Sequence, residues 1–311
     1  MNTKETIDAI LAETGKAVLG KDDVLRRILT AILAGGHILI DDIPGVGKTT
    51  MAVAFTRTLG LDYKRMQFTP DVLPSDITGF SMYDKASGSF RYVAGSAMTN
   101  FFLADEINRA SPKTQSALLE VMQEGRLSVD GKTYAVPQPF IVMATQNPFG
   151  SSGTQELPES QTDRFMIRIT VGYPSRENEI EILKGSRRSA ALSLRAVITP
   201  DDLLQLRKAA ADIHVEDSLF AYMVDIAAAT RESHDISLGI SPRGTMALSA
   251  MTRAHALMEG RTYATPDDVL AVAPYTLSHR ITLSGDARFA GKTAASVLDD
   301  ILKSVPMPEL V

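Results

Sequence analysis

Asp42-Ile43-Pro44-Gly45-Val46-Gly47-Lys48-Thr49-Thr50 decides how the rest of the chain is read. The apolar run His37 to Ile40 precedes it, and a run of helix formers, Met51 to Leu59, follows. Strand, glycine loop and helix in that order are what a phosphate-binding loop requires. Gly45 and Gly47 let the backbone turn tightly and aim its N–H groups inward, as a nest for phosphate oxygens. The helix that starts there adds the positive end of its dipole. Lys48 is placed to reach the β- and γ-phosphates of a nucleotide, and the Thr49 hydroxyl to ligate Mg²⁺. The strict pattern G-x-x-x-x-G-K-[ST] is broken once, because Asp42 stands where its first glycine would be, while Pro44 stiffens the loop. The bland alternative, a glycine turn that binds nothing, leaves Lys48-Thr49 at the helix start unexplained.

A second motif answers the first. Asn100-Phe101-Phe102-Leu103-Ala104-Asp105-Glu106 is an apolar strand that ends in adjacent carboxylates. At the end of a buried strand, Asp105 is placed to hold Mg²⁺ through water, and Glu106 to orient and activate the attacking water. Two neighbouring carboxylates repel each other unless a cation sits between them. A solvated acidic pair capping the next helix would look the same in isolation; with the phosphate loop upstream, the metal reading gains.

Composition sets the outer limits. The chain has 311 residues, 44% hydrophobic and 22% charged, so it can bury a sizeable core in one large or two ordinary domains. Its net charge of −5 argues against a general nucleic-acid binder. With no cysteine, disulfides, thiolate zinc sites and cysteine nucleophiles are excluded. The charged stretch Met1 to Gly20 has no signal-peptide core, and no later run approaches the ~20 apolar residues of a membrane helix, which points to the cytoplasm.

Taken in order, residues 3–18 read as an amphipathic helix, and Asp22 or Asp23 caps a second through Leu33. Tyr63 to Thr69 reads as a strand, and Pro70 to Gly79 as a loop. Phe80–Tyr83 and Ser89–Val93 flank a turn, as in a protruding hairpin. Ser111-Pro112 opens a helix that Gly125 closes. Leu127 to Val136 is a second hairpin turning at Asp130-Gly131; beside that turn Lys132 reads more simply as a solvated edge residue than as a contact to a threaded polymer. Phe140 to Thr145 is another buried strand, ended by Gln146-Asn147-Pro148, where an amide can meet a γ-phosphate or merely form a turn before proline. A polar loop, Phe149 to Glu159, leads to Asp163-Arg164 and the strand Phe165 to Val171. From Thr199 on, helical signals dominate, with starts at Thr199-Pro200, Ser241-Pro242 and Thr265-Pro266. Arg243 sits in the first turn of its helix, where a cation is disfavoured by roughly 0.3–1 kcal/mol unless an anion lies nearby.

Together these motifs resemble the MoxR family of AAA+ ATPases, in the clade with an insert in helix two. The resemblance runs through Asp42 to Thr49, Gln67 to Asp71, Leu73 to Gly79, Ala104 to Ala110, Ala144 to Pro148, Leu157 to Phe165 and Ser241 to Arg243. It implies an α/β P-loop core (1–190) around a parallel five-stranded sheet, then an all-α lid domain (191–311). The nucleotide would be ATP with Mg²⁺, held by Pro44, Gly45, Val46, Gly47, Lys48, Thr49 and Thr50, with Gly20 near the adenine. At Lys21 the family often has Gln. Thr49 and Asp105 would be the metal residues and Glu106 the catalytic base. Asn147 would be sensor 1, Arg164 the arginine finger reaching a neighbouring subunit's nucleotide, and Arg243 sensor 2, in cis or in trans. The hairpin near 80–93 matches the helix-two insert. The resemblance further implies a homo-oligomeric, hexameric ring that remodels or matures a client protein complex, including metal-cofactor insertion. A separate von Willebrand factor A domain protein would assist it. Rival readings are the motor subunit of a metal chelatase, a nucleotide-gated scaffold with incidental turnover, and a helicase-like ring. The last is weak, because the hairpins offer only Lys85, Arg91 and Lys132 to DNA.

Overall fold

The computed structural model describes residues 2–147, 157–184 and 193–309. Pro148, the loop from Phe149 and the expected division between residues 190 and 191 lie outside the described residues. In chain order the first strands are β1 (Ile38–Asp41), β2 (Tyr63–Gln67), β3 (Gly79–Asp84), β4 (Ser89–Ala94), β5 (Phe101–Asp105), β6 (Arg126–Val129), β7 (Lys132–Ala135), β8 (Ile141–Gln146) and β9 (Ile167–Ile169). Five of them form one parallel sheet in the order β2-β5-β8-β1-β9.

Parallel strands read as continuous apolar runs because both faces of the sheet are covered. The period-2 alternation then divides each run between two cores. Ile38, Ile40, Phe101, Leu103, Ile141 and Met143 join the core under helices Thr3–Gly15, Asp22–Leu33 and Lys48–Thr58. Leu39, Phe102, Ala104, Val142 and Ala144 join the other core, under helix Pro112–Glu124. Every residue of the central strand β8 is buried. The register pairs Asp41 with Gln146 and Gln67 with Asp105, so β1, β2, β5 and β8 end together at one carboxyl edge. In open α/β sheets that edge is where ligands bind.

Two hairpins project from this frame, as the sequence suggests. β3 and β4 pair in register from Gly79↔Ala94 to Asp84↔Ser89. β6 and β7 turn at Asp130 and Gly131, both with positive φ. The rings of Tyr92 and Tyr134 stack with centroids 4.0 Å apart and tie the two hairpins together.

Beyond β9 come the short helix Arg176–Leu183 and, from Thr199 on, the α-helices Pro200–Ala211, Asp217–Glu232, Pro242–Met258, Pro266–Leu277, Gly285–Phe289 and Ala294–Ser304. Their starts match the Ser/Thr-Pro signals: the Ser241 hydroxyl accepts from the Gly244 N–H at 3.1 Å, and Thr199 and Asp202 form a capping box. This portion also carries a short antiparallel ribbon, β10 (Ile236–Leu238) with β11 (Thr282–Leu283). It shares one continuous apolar cluster with the sheet, through Ile7, Leu25, Ile28, Leu206, Leu248 and Met251 among others. The two N-terminal helices therefore belong to both portions.

Three sequence readings are corrected. The first helix ends at Gly15, short of residue 18. The stretch after Pro70 contains a helix, Pro74–Thr78, started by Pro74 and by the Asp76 carboxylate accepting the Leu73 N–H at 2.9 Å. Strand β9 is only three residues long, because beyond Ile169 the backbone turns to other partners described below.

His37 locks the sheet to its second layer. Its Nδ1 accepts the Val142 N–H at 3.0 Å, and its Nε2 lies 3.0 Å from the Met122 carbonyl. Full burial pushes the imidazole down to about 4 from an ordinary 6.5, against the opposing hydrogen bond to Met122. The unfolded chain therefore binds the extra proton between these values, and His37 costs stability as pH falls through that window. Between pH 7 and pH 5 the loss should be about 2 kcal/mol. Melting curves across that range should show a pH slope that His37→Gln reduces by this amount. An unchanged slope would mean that His37 titrates normally.

Candidate active site

The loop between β1 and helix Lys48–Thr58 has the conformation its glycines permit. Gly45 and Gly47 have φ of 89° and 92°. A Cβ at either would strain the backbone, although nothing lies within 4 Å of that position. The concave side is thus open to a phosphate chain. Beside it lies a cavity of about 410 Å³ whose walls include Val18, Leu19, Lys21, Val46, Thr50 and Ile182. Its largely apolar lining suits a purine base. Gly20, expected near the adenine, contributes differently: its φ is 61°, and a Cβ there would fall 2.0 Å from Nδ2 of Asn178. Its neighbours Leu19 and Lys21 form the wall.

Lys48 is buried and donates to the Asp42 carbonyl at 2.5 Å. Burial lowers its ammonium below the ordinary lysine value, while the charges of Asp42, Asp105, Asp41 and Glu106 pull the other way. Asp105 and Glu106 stand at the end of β5, one strand removed from β1 across β8, and are held apart by the backbone. Glu106 adopts a left-handed φ of 57°, uncommon for a side-chain-bearing residue and concentrated at functional sites. One hydroxyl serves both residues: Thr145 Oγ1 donates to Asp105 Oδ1 at 2.6 Å and accepts the Glu106 N–H at 2.9 Å. Each carboxylate has its own cation, Arg65 on Asp105 at 2.7 Å and Arg109 on Glu106 at 2.8 Å. The repulsion expected of the pair is relieved in this way. Asn147 Nδ2 donates to Glu106 Oε1 at 3.0 Å. Burial raises the Glu106 carboxyl, but the hydrogen bonds from Arg109 and Asn147 outweigh it and hold the group below the usual range. The group is therefore ionised at neutral pH, the state a base acting on water needs in order to accept a proton.

The residues present fit a Mg²⁺–nucleotide. Among the described residues no cluster of three or more His, Asp or Glu side chains forms an all-protein metal cage. Mg²⁺ seldom uses one, since it keeps waters and takes phosphate oxygens with one or two protein groups. Asp105 at the strand end and Thr49 in the first helical turn are the groups that would supply those.

Asp42 explains its own departure from the motif. Its Oδ2 accepts the N–H groups of Val171 and Gly172, both at 2.6 Å, and its Oδ1 accepts the Ile43 N–H at 2.7 Å. Lys21 grips the same segment from the other side, donating to the carbonyls of Val171 and Tyr173 at 2.7 and 2.8 Å. These contacts end β9.

Arg164 and Arg243 lie elsewhere. Asp163 accepts from Ser241 Oγ at 3.1 Å and from Arg280 Nε at 2.9 Å, which joins the arginine-bearing turn to the start of helix Pro242–Met258. Neither Arg164 nor Arg243 forms an ion pair among the described residues, and Arg164 Nε is buried without a partner there. Arg280 is the anchor that the sequence did not betray. It is 6% exposed and also donates to the Phe165 carbonyl at 2.7 Å.

Comparison with known proteins agrees with this geometry. The AAA model of the ATPase family associated with various cellular activities matches residues 37–167, and an AAA lid domain model matches 228–301. YeaC of Bacillus subtilis is 45% identical, across 94% of this chain and 92% of its own. Chaperone MoxR1 of Mycobacterium tuberculosis is 39% identical, across 98% and 83%. A crystal structure of a protein described as an ATPase, from Cytophaga hutchinsonii, superposes with a TM-score of 0.90 at 35% identity, covering 99% of this chain and 96% of that one.

Asp42→Gly would complete the strict motif yet leave three backbone donors, of Ile43, Val171 and Gly172, without their carboxylate. It should destabilise the protein by about 2–3 kcal/mol and weaken nucleotide binding. Denaturant melts and nucleotide titrations check this; equal stability and affinity would show that the carboxylate carries nothing. The open glycine loop, the divergent carboxylates, the matched domain models and the near full-length relatives converge on one assignment: the chain belongs to the MoxR family of AAA+ ATPases.

Proposed function

We propose that the chain binds ATP with Mg²⁺ and hydrolyses it as part of a cytoplasmic homo-oligomeric ring, hexameric by resemblance, using the strain to remodel or mature a partner protein complex. The observation that carries this reading is the Asn147–Glu106–Arg109 chain of hydrogen bonds beside Lys48. It holds an ionised carboxylate next to a phosphate-binding lysine. Glu106 would accept a proton from water, and Asn147 would hold both Glu106 and the attacking geometry. Lys48 would exchange the Asp42 carbonyl for phosphate oxygens. Bound Mg²⁺ would neutralise charge developing on the phosphates.

The site is incomplete in one copy. Arg164 and Arg243 share one edge, fixed there by Asp163, Ser241 and Arg280. On the ring reading Arg164 acts on the nucleotide of a neighbouring subunit, and Arg243 acts as sensor 2, in cis or in trans. The protruding β3–β4 hairpin exposes Phe80, Met82, Tyr83 and Phe90, a surface suited to gripping a protein client rather than DNA. Maturation that includes metal-cofactor insertion, with a separate von Willebrand factor A domain protein, stays the preferred physiological setting. A metal chelatase motor would share every feature of the site and differ in a porphyrin-binding partner.

ATP hydrolysis per subunit should rise with protein concentration. Glu106→Gln should abolish turnover while retaining ATP binding. Arg164→Ala should lower the rate by about 10³-fold or more, as arginine fingers do in related phosphoryl transfer. Phosphate-release assays across a dilution series check all three. A rate flat with concentration and untouched by Arg164→Ala would favour the nucleotide-gated scaffold.

A further inference from the structure

Arg280 stands in the helical portion, in the single turn Ser278–Arg280 that follows helix Pro266–Leu277. Its buried guanidinium nevertheless reaches the core. Nε donates to Asp163 Oδ1 at 2.9 Å, and Nη2 donates to the carbonyls of Asp163 at 3.2 Å and Phe165 at 2.7 Å. Nη1 donates to the Met166 carbonyl at 3.3 Å and to the Thr276 carbonyl of the preceding helix. One planar fork thus binds the backbone on both sides of Arg164 and skips Arg164 itself. The Arg164 guanidinium forms no ion pair among the described residues, and its Nε is buried without a partner.

Two further features are arranged around this fork. The second oxygen of Asp163 accepts from Ser241 Oγ at 3.1 Å, which ties the same turn to the start of helix Pro242–Met258. Gly244, in the first turn of that helix, leaves room for the arginine stem: a Cβ there would fall 2.7 Å from Ile240 Cγ2 and 2.9 Å from Arg280 Cδ. Burying a guanidinium is costly, and an apolar side chain of similar volume would fill the space without that cost. An apolar side chain could not fix the carbonyls of residues 163, 165 and 166 at set distances from the helical portion. A plain fastening between the two portions would account for hydrogen bonds there. It would not account for their concentration on the residues either side of one unpaired arginine.

We propose that Arg280 is a positioning residue for hydrolysis in the adjacent copy. It holds the turn that presents Arg164 to that copy's nucleotide, so the helical portion of one subunit sets the rate of its neighbour's site. The proposal rests on the ring reading above and names what governs the shared site.

Arg280→Lys keeps a charge beside Asp163 but loses the fork, so the turn should loosen. The variant should melt as a folded protein, bind ATP with the parent's affinity and assemble with ATP as the parent does by light scattering. Its turnover should fall about 10²-fold, the cost of a misplacement near 1 Å. The decisive readout is rescue in trans. Glu106→Gln copies cannot turn over ATP yet carry an intact Arg164 turn. Mixed in equal amounts with Arg280→Lys copies, they should restore about a quarter of the parent rate, because in a head-to-tail ring that share of sites pairs a sound Glu106 with a sound Arg164 turn. The control pair, Glu106→Gln with Arg164→Ala, should recover to the same extent. If Arg280→Lys does not fold, Gly244→Ala carries the same test, because its Cβ displaces the arginine stem and leaves every donor in place. Recovery by the control pair alone would overturn the proposal, since the defect would then lie in the variant's own site. Parent-like turnover by Arg280→Lys, or loss of its assembly, would overturn it too. No recovery even by the control pair would instead sink the ring reading itself, and the proposal with it.

Discussion

The Thr145 hydroxyl is the interaction on which the site's geometry depends. It sits at the end of the fully buried strand β8, beside β5, and binds both Asp105 and the backbone of Glu106. Because β5 and β8 are parallel and in register, the hydroxyl meets the strand end at a fixed height. Glu106 is thereby turned out of the strand direction into a left-handed conformation that costs of order 1–3 kcal/mol. The turn sends two adjacent carboxylates toward different partners. A metal residue and a base can then stand side by side without sharing one cation.

A second set of contacts makes the phosphate loop and the helical portion mechanically continuous. Asp42 opens the loop and holds the backbone after β9, which Lys21 also grips. Lys48 binds the carbonyl of the same Asp42. Were Lys48 to turn to phosphate, the residue that anchors the exit from the sheet would lose a donor. Arg280 fastens the next strand start, Phe165, to the helices. On the proposed reading, nucleotide occupancy would act on the segment that leads into the helical portion through these side chains.

The fold was legible where the information is local. A strand before the glycines, a strand ending in carboxylates, Asp130-Gly131 at a hairpin and Ser or Thr before Pro at helix starts all act over a few residues. The sheet, the hairpins and the helix starts follow from them. What stayed hidden acts over long separations: Asp42 to Val171, Arg280 to Asp163, Thr145 to Asp105. Thr145 reads as one more β-branched strand residue, and no motif around Arg280 marks it out. Asp42 did leave a trace, as a charged residue where a motif glycine belongs, but its partners could not be read from spacing. The short helix at Pro74 was missed because two prolines read as loop, whereas Pro74 takes the first helical position.

The placement of the cations separates the groups that one copy completes from those it leaves open. Arg65 and Arg109 neutralise the strand-end carboxylates within the chain, and Arg280 neutralises Asp163. Arg164, one residue beyond Asp163, has a buried Nε with no described partner, and Arg207 has a buried Nη2 in the same condition. A buried donor without an acceptor costs about 1–3 kcal/mol, and more when it is charged. An arrangement of this kind is stable as a component of something larger, in which anions are brought to it. On the ring reading the anion brought to Arg164 would be a neighbour's phosphate. Assembly and catalysis would then draw on the same unspent electrostatic energy.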